Sequence, residues 1–466
     1  MKPFAAVFIT LFLFITAHTQ TITWEKQFHF DSLSTAGSVI ETQDSGFFEL
    51  TNYIGNPDAL WLIKLNRYGN ILWAKIIDSA GAGVFSLIEK SPGIYMTALY
   101  SKSIYILEFN EAGDILWRQN YDPANLYEPY GLLSLNNGNY IITADLSASG
   151  KYPHYYTPGK MLIQNFNSSH NITWSDTFNF GLQTEADGII WASDNEILIS
   201  GGVGSGGINH SYIFALVLDS NGKKLNYVPY PALADSSEQV ECVGKLKNGN
   251  ALIESCSSNF GSFFFTLADS MGNTIRRWNI GAYHNGTGGF VTDEDSVLLL
   301  ASAGLISGPL TLQKFDTTFH QLWEKQYEGN SYYNVPQQIL KTADGGFLLA
   351  DTRSTSTYSD MVLIKVDNNG YCADEDLSGM GNPDFPVKNV SIYPNPATNN
   401  IYINSNVGST GLGIDIFDSR GVQVMAVKET APGIQSLDIS SLSKGLYMYR
   451  LYNESGICKE GKFVKE

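Results

Sequence analysis

The sequence predicts an all-β protein: a seven-bladed β-propeller followed by a small C-terminal β-sandwich. Three observations support this prediction. A strand that ends in an aromatic residue after a similar turn recurs from Trp24 to Cys372, at intervals of 44 to 57 residues that define seven units. Within each unit, short apolar segments alternate with turns rich in Gly, Asn and Asp, and no segment shows helical periodicity. After Cys372, an acidic segment rich in Gly and Pro separates the repeats from a block of different character.

The composition is that of a folded, acidic protein. Hydrophobic residues make up 43% of the 466 residues, and the chain holds 26 Tyr, 25 Phe and 8 Trp, whereas disordered chains are poor in aromatic residues. The 29 Lys and Arg against 46 Asp and Glu give a net charge of −17. Because this charge repels phosphate and no cluster of basic residues offsets it, we predict no nucleic-acid partner.

Residues 1–19 are predicted to be a signal peptide. Lys2 is followed by an apolar run from Phe4 to Ile15 and a short polar stretch, and the mature chain is expected to begin near Gln20. This apolar run is too short for a helix that crosses about 30 Å of hydrocarbon. No other segment contains 18 uninterrupted apolar residues, so we expect no transmembrane segment.

Each unit carries two turns with strand-like segments around them. The first is of Asn/Asp-x-x-Gly type and precedes the aromatic residue, as in 66–73 and 110–117, with Tyr227 in the aromatic position of the fourth unit. The second, such as 44–46 or 344–346, has the composition of a β-hairpin. Four short strands per unit are typical of a propeller blade. A stack of independent β-sandwiches is the alternative, but so small a sheet needs neighbours to bury its apolar face, so we expect the Trp residues to pack between blades.

The ring is predicted to span residues 20–372 and to be closed by its N-terminal strand. Segment 23–30 contains Trp24 and resembles the outer strand of a unit, whereas the seventh unit ends without such a strand after Asp367. We predict that the N-terminal strand supplies the fourth strand of the last blade. This arrangement leaves no long unpaired edge.

A linker and a second domain follow the repeats. Residues 373–387 form an acidic linker rich in Gly and Pro. The block 388–466 has short segments of period two between turns that contain Pro and Gly, which predicts a small β-sandwich. Its most specific residues, in order and spacing, are Tyr393, Pro394, Asn395, Pro396, Gly445, Tyr447, Gly461, Lys462 and Lys465.

These residues resemble the C-terminal sorting domain of the type IX secretion system. The resemblance implies export by the Sec route and then by the type IX machinery of a Bacteroidota bacterium. It also implies removal of the domain and either release or anchoring on the outer cell surface. The sorting residues therefore concern transport rather than the activity of the mature protein. The repeats resemble the Trp/Asp-Gly-Gly propeller repeats of exported Bacteroidota proteins.

The candidate ligand site lies on one rim of the ring. If the strand before the Asp-Gly-Gly-type turn is innermost, both tight turns of a unit lie on one rim and its more variable connections lie on the other. Tyr and His beside carboxylates and amides stack on sugar rings and hydrogen-bond to hydroxyl groups. The alternative for each residue is that it supports its own loop. The ligand-binding candidates are Tyr121, Tyr127, Tyr130, His154, Tyr155, Tyr156, Tyr283, His284, Asn285, Tyr332 and Tyr333.

No catalytic residue and no cofactor are predicted. The chain has no His-Glu-x-x-His, no Cys-x-x-Cys and no nucleophile elbow. Acidic residues of the variable connections, such as Asp187, allow a carboxylate pair for glycoside cleavage, as they do in any acidic propeller. The acidic run 374–376 has oxygen atoms for Ca²⁺, but such a run is more commonly a solvated linker.

Four cysteines in an exported chain permit disulfides. Cys242 and Cys256 lie seven residues on either side of Gly249, the hairpin turn of the fifth unit, which makes them candidates for a cross-strand disulfide. The alternative is two reduced, buried thiols. Cys458 lies in the domain that is expected to be removed, so we expect Cys372 to form no disulfide in the mature protein.

The sequence thus predicts a secreted or surface-displayed, monomeric binding or adhesion module with a glycan or surface-protein ligand. Two alternatives stay open: a polysaccharide-degrading hydrolase or lyase on the same propeller, and a structural component of the cell surface or gliding apparatus. An enzyme requires acid and base residues that converge over the channel, a binder requires an exposed aromatic platform, and a structural component requires neither.

Overall fold

The computed structural model describes the chain in segments, to which the sheets and contacts below belong. Residues 1–20, with the predicted signal peptide, and 373–389, with the predicted linker and its acidic run, lie outside them. The described segments are 21–28, 33–54, 59–78, 83–101, 103–121, 126–135, 138–147, 159–204, 210–232, 238–257, 262–281, 287–293, 296–302, 308–327, 333–354, 359–372, 390–405, 412–418, 422–430, 433–453 and 456–466.

Seven four-stranded antiparallel sheets form the blades of a β-propeller. The first strand of each blade is innermost: these strands contact one another around the complete ring, and that of the seventh blade contacts that of the first. The described residues contain no helix. The predicted all-β fold and its seven blades are therefore confirmed.

The propeller contains 28 strands in the described residues. The N-terminal strand is β1 (Trp24–Phe28), and the first three blades consist of β2 (Leu33–Glu41), β3 (Phe47–Ile54), β4 (Ala59–Leu65), β5 (Ile71–Asp78), β6 (Gly83–Ser91), β7 (Ile94–Ser101), β8 (Ser103–Asn110), β9 (Ile115–Tyr121), β10 (Leu126–Ser134), β11 (Tyr140–Ser147), β12 (Gly159–Phe166) and β13 (Ile172–Phe178). The remaining blades consist of β14 (Gln183–Ser193), β15 (Glu196–Gly204), β16 (His210–Asp219), β17 (Lys224–Pro231), β18 (Glu238–Lys245), β19 (Ala251–Ser257), β20 (Phe263–Ala268), β21 (Thr274–Gly281), β22 (Thr287–Asp293), β23 (Ser296–Ser302), β24 (Leu310–Asp316), β25 (Gln321–Tyr327), β26 (Tyr333–Lys341), β27 (Phe347–Ser354) and β28 (Ser359–Val366).

The seventh sheet contains both ends of the propeller chain. β1 pairs antiparallel with β28, with Trp24 opposite Lys365 and Phe28 opposite Met361, and becomes the outermost strand of that sheet. Trp24 and Phe28 are both buried. All seven blades therefore have four strands, and β28 has a partner along each edge.

Neighbouring blades cover both faces of the middle strands. Every residue of β23 and of β28 is buried, whereas most of the outer strand β13 is exposed. A strand that is covered on both faces needs apolar residues at successive positions rather than at alternate ones. This burial explains why the middle strands appear in the sequence as continuous apolar runs.

The Asn/Asp-x-x-Gly turns are held by their own first residue. In the first blade, the side-chain oxygen of Asn66 accepts hydrogen bonds from the backbone N–H groups of Tyr68 and Asn70, at 2.9 and 3.0 Å. The fourth residue, Gly69, has a φ of +72°, a left-handed conformation that glycine adopts without steric cost. The turn type therefore determines the Gly of the repeat.

An aromatic seam joins each outer strand to the next blade. The Trp of one blade covers the left-handed residue of the following turn so closely that a Cβ on Gly113 would lie 2.3 Å from Trp73, and one on Gly69 would lie 2.7 Å from Trp24. We define the seam by its residue pairs, which are Trp24 with Gly69, Trp73 with Gly113, Trp117 with His170, Trp174 with Gly222, Trp278 with Phe319 and Trp323 with Gly370.

Two seam positions hold a ring where the other turns have glycine. His170 and Phe319 keep the left-handed conformation, with φ of +65° and +63°. The His170 ring stacks on Trp117 with 3.7 Å between centroids, and the Phe319 ring lies 4.5 Å from Trp278. Stacking of this kind is worth about 0.5–1.5 kcal/mol, which is comparable with the cost of a left-handed residue other than glycine.

The fourth blade departs from the predicted repeat. Tyr227 does not hold the Trp position, because its ring stacks instead on Phe180 with 3.8 Å between centroids. Asn226 is the residue in the Trp position, and its amide donates a hydrogen bond of 2.8 Å to the backbone carbonyl of Met271 in the next turn. A polar contact therefore replaces aromatic packing at this blade boundary.

The inner strand of every blade contains a β-bulge at nearly the same level. At this point the pairing with the second strand shifts by one or two residues, which re-aims the side chains that line the channel. The bulged residues are Ala36 and Gly37, Phe85, Tyr130, Asp187, Glu241, Gly288 and Gly289, and Gln337.

Two further sheets form the C-terminal sandwich. Its core contains Ile401, Ile403, Ile414, Ile416 and Phe463. The three-stranded sheet consists of β29 (Val390–Tyr393), β30 (Asn400–Ser405) and β33 (Gly433–Asp438). The four-stranded sheet consists of β32 (Gln423–Thr430), β31 (Leu412–Phe417), β34 (Gly445–Asn453) and β35 (Gly456–Lys465).

Candidate functional site

The two ends of the propeller differ in the length of their connections. At one end, called here the turn end, the first and second strands and the third and fourth strands of each blade are joined by two to five residues. At the other, the loop end, the connections vary from one residue between β7 and β8 to eleven between β11 and β12. Variable connections on a regular scaffold are where binding residues concentrate.

The turn end is braced by buried ion pairs. The ammonium group of Lys64, a buried residue of β4, lies 2.8 Å from the Asp44 carboxylate and 3.1 Å from Glu111 of the next blade. Lys365 repeats the arrangement in the seventh blade, 2.9 Å from Asp344. Because removal of either partner would leave a buried charge, these pairs hold the hairpin turns in place.

The sequence-predicted ligand residues all belong to the loop end or to the inner wall below it. Tyr121 ends β9, Tyr127 and Tyr130 lie in β10, and Tyr333 begins β26. Tyr130 is half-buried at the bulge of β10, and the side chains of the other three are outside the described structure. His154, Tyr155, Tyr156, Tyr283, His284, Asn285 and Tyr332 lie wholly outside the described residues. The aromatic rim therefore stays a prediction.

The channel contains a cavity of about 580 Å³ bounded by five inner strands. Its wall is mostly polar or glycine, with Ser38 from β2, Ser86 from β6, Thr287 from β22 and Gln337 from β26. A carboxylate and a thiol of β18 complete it. This size falls within the range of small-ligand sites.

One wall of the cavity carries an acidic cluster, defined here as Asp187, Glu241 and Glu254. Glu241 is the bulged residue of β18, and its side chain is open to solvent in the cavity. The Cys256 thiol donates a hydrogen bond of 2.8 Å to the Glu241 carboxylate. The surrounding protein raises the pKa of Glu241, and Asp187 and Glu254 add to the negative field that, with burial, raises the pKa of Cys256.

Glu254 lies behind this wall with no exposed surface. Burial raises its pKa to about 8. The Thr287 side chain lies close enough to lower that pKa slightly, but both oxygens of Glu254 and the Thr287 hydroxyl lack a hydrogen-bond partner among the described atoms. A buried carboxyl without partners costs free energy, so its presence calls for a physical reason.

The opposite wall is fixed by a glutamine that joins the seventh blade to the first. The side-chain oxygen of Gln338, in β26, accepts a hydrogen bond of 2.8 Å from the backbone N–H of Val39 in β2. Above it, the bulged residue Gln337 is exposed towards the cavity. Amide groups therefore face the acidic cluster across the channel.

The predicted disulfide between Cys242 and Cys256 is not formed. The prediction assumed an unbroken register on either side of Gly249, but the bulge at Glu241 shifts it. Cys242 lies opposite Glu254, and Cys256 lies opposite Gln239. Burial instead raises the pKa of the Cys242 thiol to about 12, so both cysteines are unreactive thiols in the propeller wall.

The acidic cluster was not found by sequence reasoning. Asp187 was assigned to a connection, whereas it lies within β14, and Glu241 and Glu254 were among 46 acidic residues without distinction. A usable signal existed, since Glu254 interrupts the otherwise apolar start of β19. In the described part of the chain, no three His, Cys, Asp or Glu residues are arranged to hold a metal ion.

The sorting residues form a second functional site, at the C-terminal strand of the sandwich. The Asn395 side chain donates a hydrogen bond to the carbonyl of Lys462 at 3.2 Å and accepts one from the N–H of Val464 at 2.8 Å. The Ala397 N–H donates to the Val464 carbonyl at 2.7 Å, and its carbonyl accepts from Glu466 at 2.8 Å. The two ends of the predicted signal are therefore joined in space.

The fold and this site define an exported β-propeller protein with a C-terminal sorting domain. Residues 391–466 match the family described as "Secretion system C-terminal sorting domain". This segment is a type IX sorting domain, which indicates export followed by attachment to the outer cell surface or secretion. In the described residues, no helix has the length and apolar character that crossing a membrane requires.

Solved structures share the propeller fold at low sequence identity. The chain is similar to Raptor from Chaetomium thermophilum, with 11% identity, a TM-score of 0.50 and coverage of 75% of this chain and 30% of Raptor. It is also similar to BamB from Moraxella catarrhalis (10%, TM-score 0.39, coverage 71% and 100%) and to YCF48 bound to a D1 peptide (11%, TM-score 0.45, coverage 74% and 96%). The chain thus spans less than a third of Raptor, and this likeness concerns the fold alone. No curated protein gives a significant match.

Proposed function

We propose that the exported protein is a non-catalytic binding or adhesion module whose ligand contacts the loop end of the propeller. The observation that supports this function is the contrast between the two ends. The turn end repeats one short, braced geometry, which leaves little scope for a specific site. The loop end varies in length from blade to blade above a polar cavity.

The loop composition favours a glycan or a surface protein of the host environment as ligand. The longest connection, 148–158, contains Tyr155 and Tyr156, and the connection after β21 contains Tyr283 and His284. Aromatic faces combined with amide and carboxylate groups match sugar rings and their hydroxyl groups. Export through a Bacteroidota type IX system would bring such a module to the outer cell surface as a monomer.

A glycan array, followed by capture from surface-protein extracts, tests the proposal. The purified protein is compared with the double variant Tyr155→Ala and Tyr156→Ala. The matched control is Tyr68→Ala, which removes an exposed tyrosine from the turn end. Binding that the loop variant loses and the control keeps is the expected result. Equal binding by all three proteins, or a loss caused by the control, would contradict the assignment to the loop end.

The same experiment separates a binder from a polysaccharide-degrading enzyme. Each glycan that binds is incubated with the protein, and new reducing ends or unsaturated sugars are measured. A binding module leaves the glycan intact. Cleavage that Glu241→Gln abolishes would replace the proposal by the hydrolase or lyase alternative, with catalysis in the channel.

A further inference from the structure

The acidic cluster of the channel has no cationic partner. In the described part of the chain, no Lys, Arg or His forms an ion pair with Glu241 or Glu254, and both carboxyl groups have a raised pKa. Elsewhere in the same fold buried charges are matched: Lys64 has two carboxylates and Arg277 lies 2.5 Å from Glu238. The channel wall therefore departs from the rule that the rest of the propeller follows.

Two independent features make this cluster more than an accumulation of acids. The first is Glu254, which is wholly buried, faces the same wall as Glu241 and has neither oxygen satisfied by the described atoms. The second is the cavity itself, which exposes the Glu241 carboxylate and has room for a side chain of a ligand. A positively charged group in the cavity would compensate the field that now keeps both carboxyls from ionising.

We propose that the channel cavity binds a cationic peptide through one ammonium or guanidinium group, with Glu241 as the contact residue. Glu254 is a positioning residue, since it acts on the cation through the field behind the wall rather than by contact. The Cys256 thiol and the bulge of β18 hold the Glu241 carboxylate towards the cavity. A metal ion fits less well, because the described side chains offer no three ligands at metal-binding geometry.

This site goes beyond the proposed function, because it lies in the channel wall and does not depend on the loops. The structure also predicts how binding depends on pH. The groups that face Glu254 are Glu241 and Cys242 of β18, Cys256 of its own strand, and Thr287 of β22. Because Glu254 holds a proton below pH 8 when the cavity is empty, a cation that favours the carboxylate releases that proton. Affinity should therefore rise from pH 6 to pH 8.

Isothermal titration calorimetry of the full chain tests the inference. The probes are the blocked tripeptides acetyl-Gly-Lys-Gly-amide and acetyl-Gly-Arg-Gly-amide, with the neutral acetyl-Gly-Gln-Gly-amide and calcium chloride as comparisons. We expect binding of at least one cationic peptide, with proton release when two buffers of different ionisation enthalpy are compared. Glu241→Gln should lower the affinity about tenfold or more, since it removes a charge-assisted hydrogen bond.

Two further variants decide between a site and a general charge effect. Glu254→Gln preserves volume and should weaken binding while abolishing most of the proton release. Asp194→Asn removes the same charge from an exposed turn at the other end and should change neither. Equal binding of the neutral peptide, binding of calcium alone, or no binding of any probe would each overturn the inference. Loss of loop-end binding with the channel site intact would instead contradict the proposed function alone.

Discussion

The closure of the ring by its N-terminal strand can be tested with a single substitution, Trp24→Ala. Trp24 is 7% exposed and lies in the seventh sheet, where it packs on the turn of the first blade. Its indole N–H donates a hydrogen bond of 2.9 Å to the carbonyl of Arg67. The residue therefore joins the last blade to the first.

The structure gives the size of the expected effect. Replacing a buried Trp by Ala costs about 3–5 kcal/mol, because the cavity it leaves is only partly refilled. The lost hydrogen bond to a turn carbonyl adds about 1 kcal/mol. We therefore expect the free energy of unfolding to fall by about 4–6 kcal/mol, which is a large part of the stability of an ordinary domain.

Urea unfolding followed by circular dichroism measures this loss. The matched control is Trp73→Ala, which removes the same seam contact between the first and second blades, away from the closure. Both variants should lose comparable stability. If Trp24→Ala changed the unfolding free energy by less than 1 kcal/mol while Trp73→Ala lowered it, the closure would contribute nothing in solution and the reasoning would be refuted.

Three further predictions concern the seam, the buried acids and the cysteines. Gly113→Ala should lower the free energy of unfolding by about 2–4 kcal/mol, through a left-handed φ and a clash with the seam Trp, whereas Gly345→Ala has open space and should cost about 1 kcal/mol in thermal unfolding. Burial raises the pKa of Glu49 to about 8. Its folded form therefore keeps a proton that the unfolded chain loses near pH 4.5, so stability declines as the pH rises from 4.5 to 8. Glu49→Gln should flatten the melting temperature across that range, and an unchanged slope would contradict the assignment. Cys242 and Cys256 should resist Ellman's reagent until the protein unfolds, and a disulfide found by mass spectrometry would show the register to be wrong.

The blades were predictable because their turns are chemically demanding. A left-handed residue after an Asn or Asp whose side chain caps the turn leaves a recurring trace in the sequence, and the Trp that covers it repeats at a fixed spacing. Where another residue performs the same contact, the trace is lost. Asn226 reaches the next turn by a hydrogen bond, so an alignment by aromatic residues selected Tyr227 in its place.

The channel could not be derived in the same way. Side-chain direction in an inner strand depends on the bulge, and a single extra residue is invisible in a pattern of period two. The bulge at Glu241 both broke the symmetry assumed around Gly249 and directed a carboxylate into the cavity. The failed disulfide prediction and the missed acidic cluster therefore have one cause.

The aromatic seam has a consequence for the order of the chain. Trp24 and its partner Gly69 are about as far apart in sequence as Trp73 and Gly113, although the first pair spans the closure and the second does not. To the contacts at its perimeter, the ring has no beginning. A circular permutant that joins residue 372 to residue 21 and opens the connection 79–82 would preserve all seam pairs. The covalent start of this propeller is thus one of several equivalent places at which to cut a circle.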